Sequence, residues 1–388
     1  MLSQRSQNLG ESLTLVMTDI AKNLKANGEK VISFSAGEPD FDTPKIIKDA
    51  AIKAIEDGCG AYTPVIGIKE VIDAIKYKFK TDNNLDYSSS EIITSVGAKH
   101  SLFSAIQCLV EEGDEVIIPS PYWVSYPEMV KFAGGAPVFV EGEAKNGFKI
   151  TPEQLKNAIT PKTKVLMFNS PSNPTGSIYS KDEISALAKV LEGTKIVVLS
   201  DEIYEKLIYD GEFCAFAQVS EDALSRTVSI NGLSKCGAMP GWRFGYMASK
   251  MGDFNTAIKK LQGQSTSNIC SIVQYAALPA LLGKANEDIE IMKQAFLKRR
   301  ELACEILSQS SKLKLEQIPQ GAFYLFISCQ DVDQDSMRFC KRLLEEEKVA
   351  LVPGMGFGME GYFRLSYATN EKDIQEGCQK IVDFVKRY

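Results

Sequence analysis

Between residues 91 and 231 the chain alternates short apolar runs with amphipathic stretches. That alternation restricts it to α/β architecture with a largely parallel sheet flanked by helices. Glu91–Val96, Asp114–Pro119, Pro137–Val140, Lys164–Asn169, Lys195–Leu199 and Thr227–Ile230 read as strands. Gly97 leads into a helix carrying Leu102, Phe103, Ile106 and Leu109, and Ser180-x-x-Glu183 is a capping box ahead of Ile184, Leu187, Ala188 and Leu191. Upstream, Thr43 is expected to cap a helix with Pro44 at its first position. Ile46, Ile47, Ala50, Ala51, Ala54 and Ile55 would form its apolar face, and Gly58 would end it.

The pattern changes after residue 285. Residues 285–309 read as one long helix, Ala322–Ile327, Val349–Val352 and Tyr362–Ser366 as strands, and Glu371–Lys386 as a closing helix. The expected division is an N-terminal arm contributing to a small domain (1–45), a large α/β domain (46–285) and a small C-terminal α+β domain (286–388).

Composition removes several function classes. A net charge of −6 argues against nucleic acid as the main partner. No apolar run approaches membrane-spanning length, and Gln4, Arg5, Gln7 and Asn8 interrupt any signal-peptide pattern. The nine cysteines form no C-x-x-C pair, which leaves neither a disulfide framework nor a zinc site and fits a reduced, cytoplasmic setting. His100 is the only histidine, so no metal site is expected and Ser-His or Cys-His catalysis would have to use it.

In parallel sheets ligands bind beyond the carboxyl ends of the strands, and the chemistry-bearing residues gather at such ends. Gly97-Ala98-Lys99 opens a helix after one strand, an anion site by its unpaired N–H groups and dipole. Trp123 follows a second strand and offers a flat face for stacking, although a core tryptophan would also fit. Asn173 stands in the turn Asn169-Ser170-Pro171-Ser172-Asn173-Pro174-Thr175-Gly176, where its amide could donate to a phenolate; turn chemistry alone also explains that segment. Asp201, at another strand end, could keep a ring nitrogen protonated, and Tyr204 lies three residues on; a helix-capping Asp and a packed Tyr are the plainer reading. Lys235 sits in Gly232-Leu233-Ser234-Lys235 just beyond the strand at 227–230, among small residues that suit a half-buried, low-pKa amine able to form Schiff bases. Arg243, eight residues on, supplies a planar fork for a phosphate.

Ala36-Gly37-Glu38-Pro39-Asp40-Phe41, Tyr62-Thr63-Pro64-x-x-Gly67, Pro121-Tyr122-Trp123, Asn173-Pro174-Thr175-Gly176, Ser200-Asp201-Glu202-Ile203-Tyr204, the Lys235–Gly245 window, Gly321-Ala322-Phe323-Tyr324 and Arg364-Leu365-Ser366-Tyr367-Ala368 occur in this order over essentially the whole chain. Together they resemble the class I, fold type I aminotransferases that use pyridoxal 5'-phosphate, most closely the gamma subgroup of bacterial aspartate aminotransferases. The resemblance implies a homodimer with shared active sites, in which Lys235 carries the cofactor and shuttles the substrate α-proton. It implies that Asp201 pairs with the pyridinium nitrogen, that Asn173 and Tyr204 contact the phenolate oxygen, and that Trp123 stacks on the ring. Arg243, with the Gly97 and Ala98 amides, would hold the phosphate, Lys99 and Ser234 would join the cofactor contacts, and Tyr62 would reach the partner subunit's phosphate. Arg364 would clamp the substrate α-carboxylate, with Gly37, Trp123 and Asn173 lining the substrate side. Phe244 departs from the smaller aliphatic residue usual there, a change of packing.

The implied reaction moves the amino group of L-aspartate to 2-oxoglutarate in a ping-pong cycle, giving oxaloacetate and L-glutamate. Lys99 and Thr14 occupy positions that recognise a distal carboxylate in this subgroup. Gly10, in the segment Gly10-Glu11-Ser12-Leu13-Thr14, stands where relatives carry a lysine, and this weakens the expectation for distal-carboxylate binding. Dual use of aspartate and prephenate, an aromatic or alanine aminotransferase, and a β-elimination lyase remain open on the same scaffold. A cofactor-binding regulator is disfavoured because no basic helix-turn-helix pattern accompanies these motifs.

Overall fold

The computed structural model describes residues 2–10 and 13–388, so Glu11 and Ser12 of the Gly10–Thr14 segment lie outside the described residues. In chain order the strands are β1 (Ile32–Ser33), β2 (Ile92–Val96), β3 (Glu115–Ser120) and β4 (Ala136–Glu141). They continue as β5 (Thr163–Asn169), β6 (Val197–Asp201), β7 (Thr227–Gly232) and β8 (Phe244–Ser249). The last are β9 (Tyr324–Ser328), β10 (Val349–Ala350), β11 (Val352–Pro353) and β12 (Tyr362–Ser366).

Seven of them form one sheet in the order β2-β8-β7-β6-β5-β3-β4. Only β8 runs against its neighbours, so the other six strands share one direction and one carboxyl edge. Val116, Ile118, Val165, Met167, Leu199 and Val228 pack on one face, beneath the helix Ala98–Leu109. Ile117, Leu166, Phe168 and Val198 pack on the other, against Ile184, Leu187 and Leu191 of the capping-box helix, where Ser180 Oγ accepts from Glu183 N–H. Burial on both faces is the normal condition of a parallel sheet and accounts for its near-continuous apolar strands. Toward the C-terminus, β9, β11 and β12 form an antiparallel sheet, and β1 pairs parallel with β10, so the N-terminal segment joins the C-terminal elements.

The α/β reading holds, and several details differ from the sequence expectation. Thr43 does not cap its helix: its hydroxyl donates to Ala238 O at 2.9 Å, and Pro44 takes the capping position of Lys45–Glu56. Of that helix's apolar residues Ile47, Ala51 and Ala54 are buried, whereas Ile46, Ile52 and Ile55 face outward. The strand expected at 195–199 is Val197–Asp201, which makes Asp201 its last residue rather than part of the following loop. The strand expected at 349–352 is two short ones that serve different sheets. β8 is hidden in sequence because its buried, non-alternating run follows directly on the Lys235 window. Further helices include Leu13–Ala26, Lys69–Asn83, Ser125–Ala133, Gly252–Ser265, Ser271–Leu281, Asn286–Leu307 and Ser336–Glu347.

Candidate active site

A cavity of about 450 Å³ opens at the carboxyl edge of the large sheet. The ends of β2, β3, β5, β6 and β7 deliver Ala98 and Lys99, Trp123, Asn169 and Asn173, Asp201 and Tyr204, and Ser234 and Lys235 to its wall. β8 enters from the same edge, and its Val96–Phe244 register sets Arg243 beside the turn that follows β2.

This corner is built for an anion. Gly97 has φ +83° and turns the chain into the helix Ala98–Leu109. The Gly97 N–H already donates to Ser95 O at 2.8 Å, so the amides left at the helix start are those of Ala98 and Lys99 rather than the expected Gly97–Ala98 pair. Arg243 adopts φ +60°, a costly conformation for a side chain of this size. Its guanidinium donates to Pro240 O at 2.8 Å and to Val96 O at 3.2 Å, which fixes its aim while other N–H groups stay open. A Cβ at position 97 would stand 2.6 Å from an Arg243 nitrogen, and one at 245 would stand 2.3 Å from Ala98 N. Two glycines therefore let β8 approach the helix start and bring the arginine in.

Asp201 lies buried on the cavity floor, and among the described residues no cationic side chain is bonded to it. Its Oδ2 accepts from the Tyr126 hydroxyl at 2.7 Å and its Oδ1 from Ile203 N–H at 3.3 Å. Burial outweighs these bonds and pushes its pKa up to about 6. Such a carboxylate gains most from a cationic N–H placed against it. Lys235 donates to Gly37 O. Burial first, then the nearby Arg364 cation, lowers its pKa to about 8, which brings the neutral amine far closer to reach at neutral pH than for an ordinary lysine.

Arg364, brought in by β12, is 1% exposed. It donates to Asn173 Oδ1 at 3.0 Å and to Ser35 O at 2.8 Å, and its guanidinium lies over the Tyr324 ring, 4.4 Å from the centroid. None of the described residues gives it a carboxylate, and its Nε is buried without a partner. A side chain at Gly37 would enter the space beside it, 3.2 Å from the Tyr324 hydroxyl and 4.0 Å from the guanidinium. A buried fork with donors to spare and an open flank has the geometry to receive a carboxylate.

The remaining expected residues distribute as follows. Trp123 and Ser234 line the cavity, and the Lys99 ammonium sits over the Trp123 indole at 4.7 Å, where burial and Arg243 lower its pKa. Tyr204 lines it too, its hydroxyl 2.9 Å from that of Tyr324. Thr14 belongs to the wall, and its buried Oγ1 finds no partner among the described residues. Tyr62 stands apart from the cavity at 91% exposed, and His100 accepts from Val96 N–H outside it. Sequence reasoning missed Tyr126, Asn169, Tyr324, Thr18 and Lys22. Tyr126 lies in the first turn of the helix Ser125–Ala133, three residues after Trp123, and the two rings meet edge to face with centroids 5.4 Å apart. Asn169 donates to Asp201 O at 2.9 Å and accepts from Asn173 N–H at 2.9 Å, tying two strand ends together.

Known proteins carry the same architecture. An aspartate aminotransferase of Geobacillus stearothermophilus is 49% identical over 99% of each chain. A Rickettsia felis protein named "Probable aspartate/prephenate aminotransferase" is 44% identical over 98% of this chain and 95% of its own. The Thermus thermophilus aspartate aminotransferase solved with maleate superposes with a TM-score of 0.95 at 40% identity, covering 99% of each chain. The family model for aminotransferase class I and II matches residues 29–381, and the chain belongs to that family.

Proposed function

We propose that this chain is a gamma-subgroup aspartate aminotransferase that uses pyridoxal 5'-phosphate to move the amino group of L-aspartate to 2-oxoglutarate. The observation that carries this reading is Arg364, a buried guanidinium with no carboxylate partner among the described residues, in the same cavity as a low-pKa lysine. The relatives' names and the dicarboxylate maleate held by the Thermus enzyme support the acidic substrate.

The residues present fit pyridoxal phosphate. The Ala98 and Lys99 amides with Arg243 suit its phosphate, the cation-free Asp201 suits a protonated ring nitrogen, Trp123 suits a ring face, and Asn173 and Tyr204 suit the phenolate oxygen. When bound, this cofactor supplies the electron sink for the carbanion at the substrate α-carbon. Arg364 binds the α-carboxylate and orients the α-hydrogen toward Lys235 Nζ, which takes the proton and returns it. Tyr126 holds the Asp201 carboxylate in place. Lys99 and the Thr14 hydroxyl receive the distal carboxylate. The donor leaves as an oxo acid before the acceptor enters, a ping-pong order.

The same reading makes the molecule a homodimer, with Tyr62 reaching a partner's phosphate site. Ile46, Ile52 and Ile55, outward-facing on Lys45–Glu56, support a covered face there. It also divides the chain into 1–45, 46–285 and 286–388.

The test is the visible absorbance of the cofactor-loaded protein during addition of single amino acids without an oxo acid. L-Aspartate and L-glutamate should convert the band at low concentration and regenerate it with 2-oxoglutarate. Conversion by aromatic or neutral amino acids alone would reject the acidic substrate, and ammonia release with pyruvate would assign a lyase. A second reading, dual use of prephenate, draws support from the Rickettsia relatives' names and is checked by prephenate as acceptor.

A further inference from the structure

The helix Leu13–Ala26 contributes Thr14, Leu15, Thr18 and Lys22 to the cavity wall. Positions 14, 18 and 22 are spaced by four, so they form one stripe along the helix. Thr18 is engaged at the inner part of this stripe: its hydroxyl donates to Thr14 O at 2.7 Å and lies 3.0 Å from Ser35 Oγ, next to the carbonyl that holds Arg364. Lys22 stands roughly 12 Å further along the helix than Thr14. It is exposed, and none of the described residues gives it a hydrogen bond or an ion pair.

The charges around the cavity are uneven. Among the described residues that line it, Lys22, Lys99, Lys235, Arg243 and Arg364 face only Glu38 and Asp201. On the function proposed above, Arg243 meets a phosphate, Arg364 an α-carboxylate and Lys99 a distal carboxylate. Lys22 alone keeps an unassigned charge, and it stands at the mouth rather than at the reacting atoms. A lone cation at the mouth of a low-dielectric cleft raises the local concentration of anions and the rate of their entry, and salt screens it.

We propose that Lys22 is a specificity-determining residue that favours substrates with a second carboxylate by drawing them to the mouth of the cavity. It acts on capture and leaves the chemical step untouched. The inference rests on the aminotransferase reading, and its test separates the two.

The experiment compares the cofactor-loaded wild type with Lys22→Gln and Lys22→Glu in single-turnover reactions with L-aspartate and L-alanine, at low salt and at about 0.5 M salt. For L-aspartate at low salt, Lys22→Glu should lower kcat/KM about three- to tenfold with kcat unchanged, and Lys22→Gln should fall between. For L-alanine, kcat/KM should stay within about twofold, and high salt should erase the aspartate deficit. Equal losses for both substrates, a loss in kcat, a deficit that persists at high salt, or no deficit would each overturn the role of Lys22. A wild type that converts L-alanine but not L-aspartate would overturn the acidic-substrate reading, and the Lys22 inference with it. Exposure of this side chain makes both variants compatible with the fold, and an unchanged Tm with an unchanged cofactor band verifies that.

Discussion

On the proposed function, replacing Arg364 gives the sharpest measure of how substrate is held. Its two terminal nitrogens each spend one N–H, on Asn173 Oδ1 and on Ser35 O, and Nε spends none. At least two donors thus remain for a carboxylate in the space that Gly37 leaves open. Charge-assisted hydrogen bonds are worth about 1.5–3 kcal/mol each, so losing two costs about 3–6 kcal/mol of substrate binding. At about 1.4 kcal/mol per factor of ten, Arg364→Leu should lower kcat/KM for L-aspartate by roughly 10²–10⁴. Arg364→Lys retains the charge without the planar fork and should recover only part of that loss. The assay is the half-reaction with L-aspartate, read by the cofactor band, beside the same measurement with an amine that lacks the α-carboxylate. Wild type and variants should differ little on the amine. A folded, cofactor-loaded Arg364→Leu protein whose kcat/KM for L-aspartate stays within about fivefold of wild type would refute the reasoning.

Three further perturbations address the other corners of the site. On the proposed function, Lys235→Ala removes both the amine that would hold the cofactor and the proton shuttle, so turnover should vanish; near-wild-type transamination would reject the site assignment. Gly97→Ala places a Cβ 2.6 Å from Arg243 at φ +83°. It should cost about 1–3 kcal/mol and weaken cofactor binding, to be read as a lower Tm and a raised cofactor Kd; no change in either would contradict the packing argument. Tyr126→Phe deletes a donor to Asp201, whose carboxyl already sits up at about 6 against an ordinary value of 3.8. In the cofactor-free protein that elevation makes the folded state hold a proton the unfolded state has released, so stability from this group falls as pH rises from about 4 to 6. The variant should extend that fall to higher pH in Tm measurements, and superimposable curves would remove Tyr126 from the role.

Local pattern carried much of this molecule. Tyr362–Ser366 and Glu371–Lys386 occupy the residues expected of them, and the Ser180–Glu183 capping box forms as written, because each depends on neighbours a few residues away. The strand ends bearing Trp123, Asn173, Asp201 and Lys235 were legible for the same reason, since turn residues interrupt apolar runs locally. Contacts between distant segments decided the rest. Thr43 looks like a helix cap from its neighbours, but Ala238 O, brought close by folding, takes its proton. Ile46 and Ile55 look as apolar as Ile47, and only packing against other helices determines which of the three is buried. The pairing of β8 against β2 sets Arg243 beside Gly97, and β12 carries Arg364 to Ser35 and Asn173. Residue identity and short-range periodicity thus determined the elements and most of the reactive side chains. The tertiary structure decided which donors meet which acceptors and which charges are left without partners, because burial and hydrogen-bond pairing are properties of segments far apart in the chain.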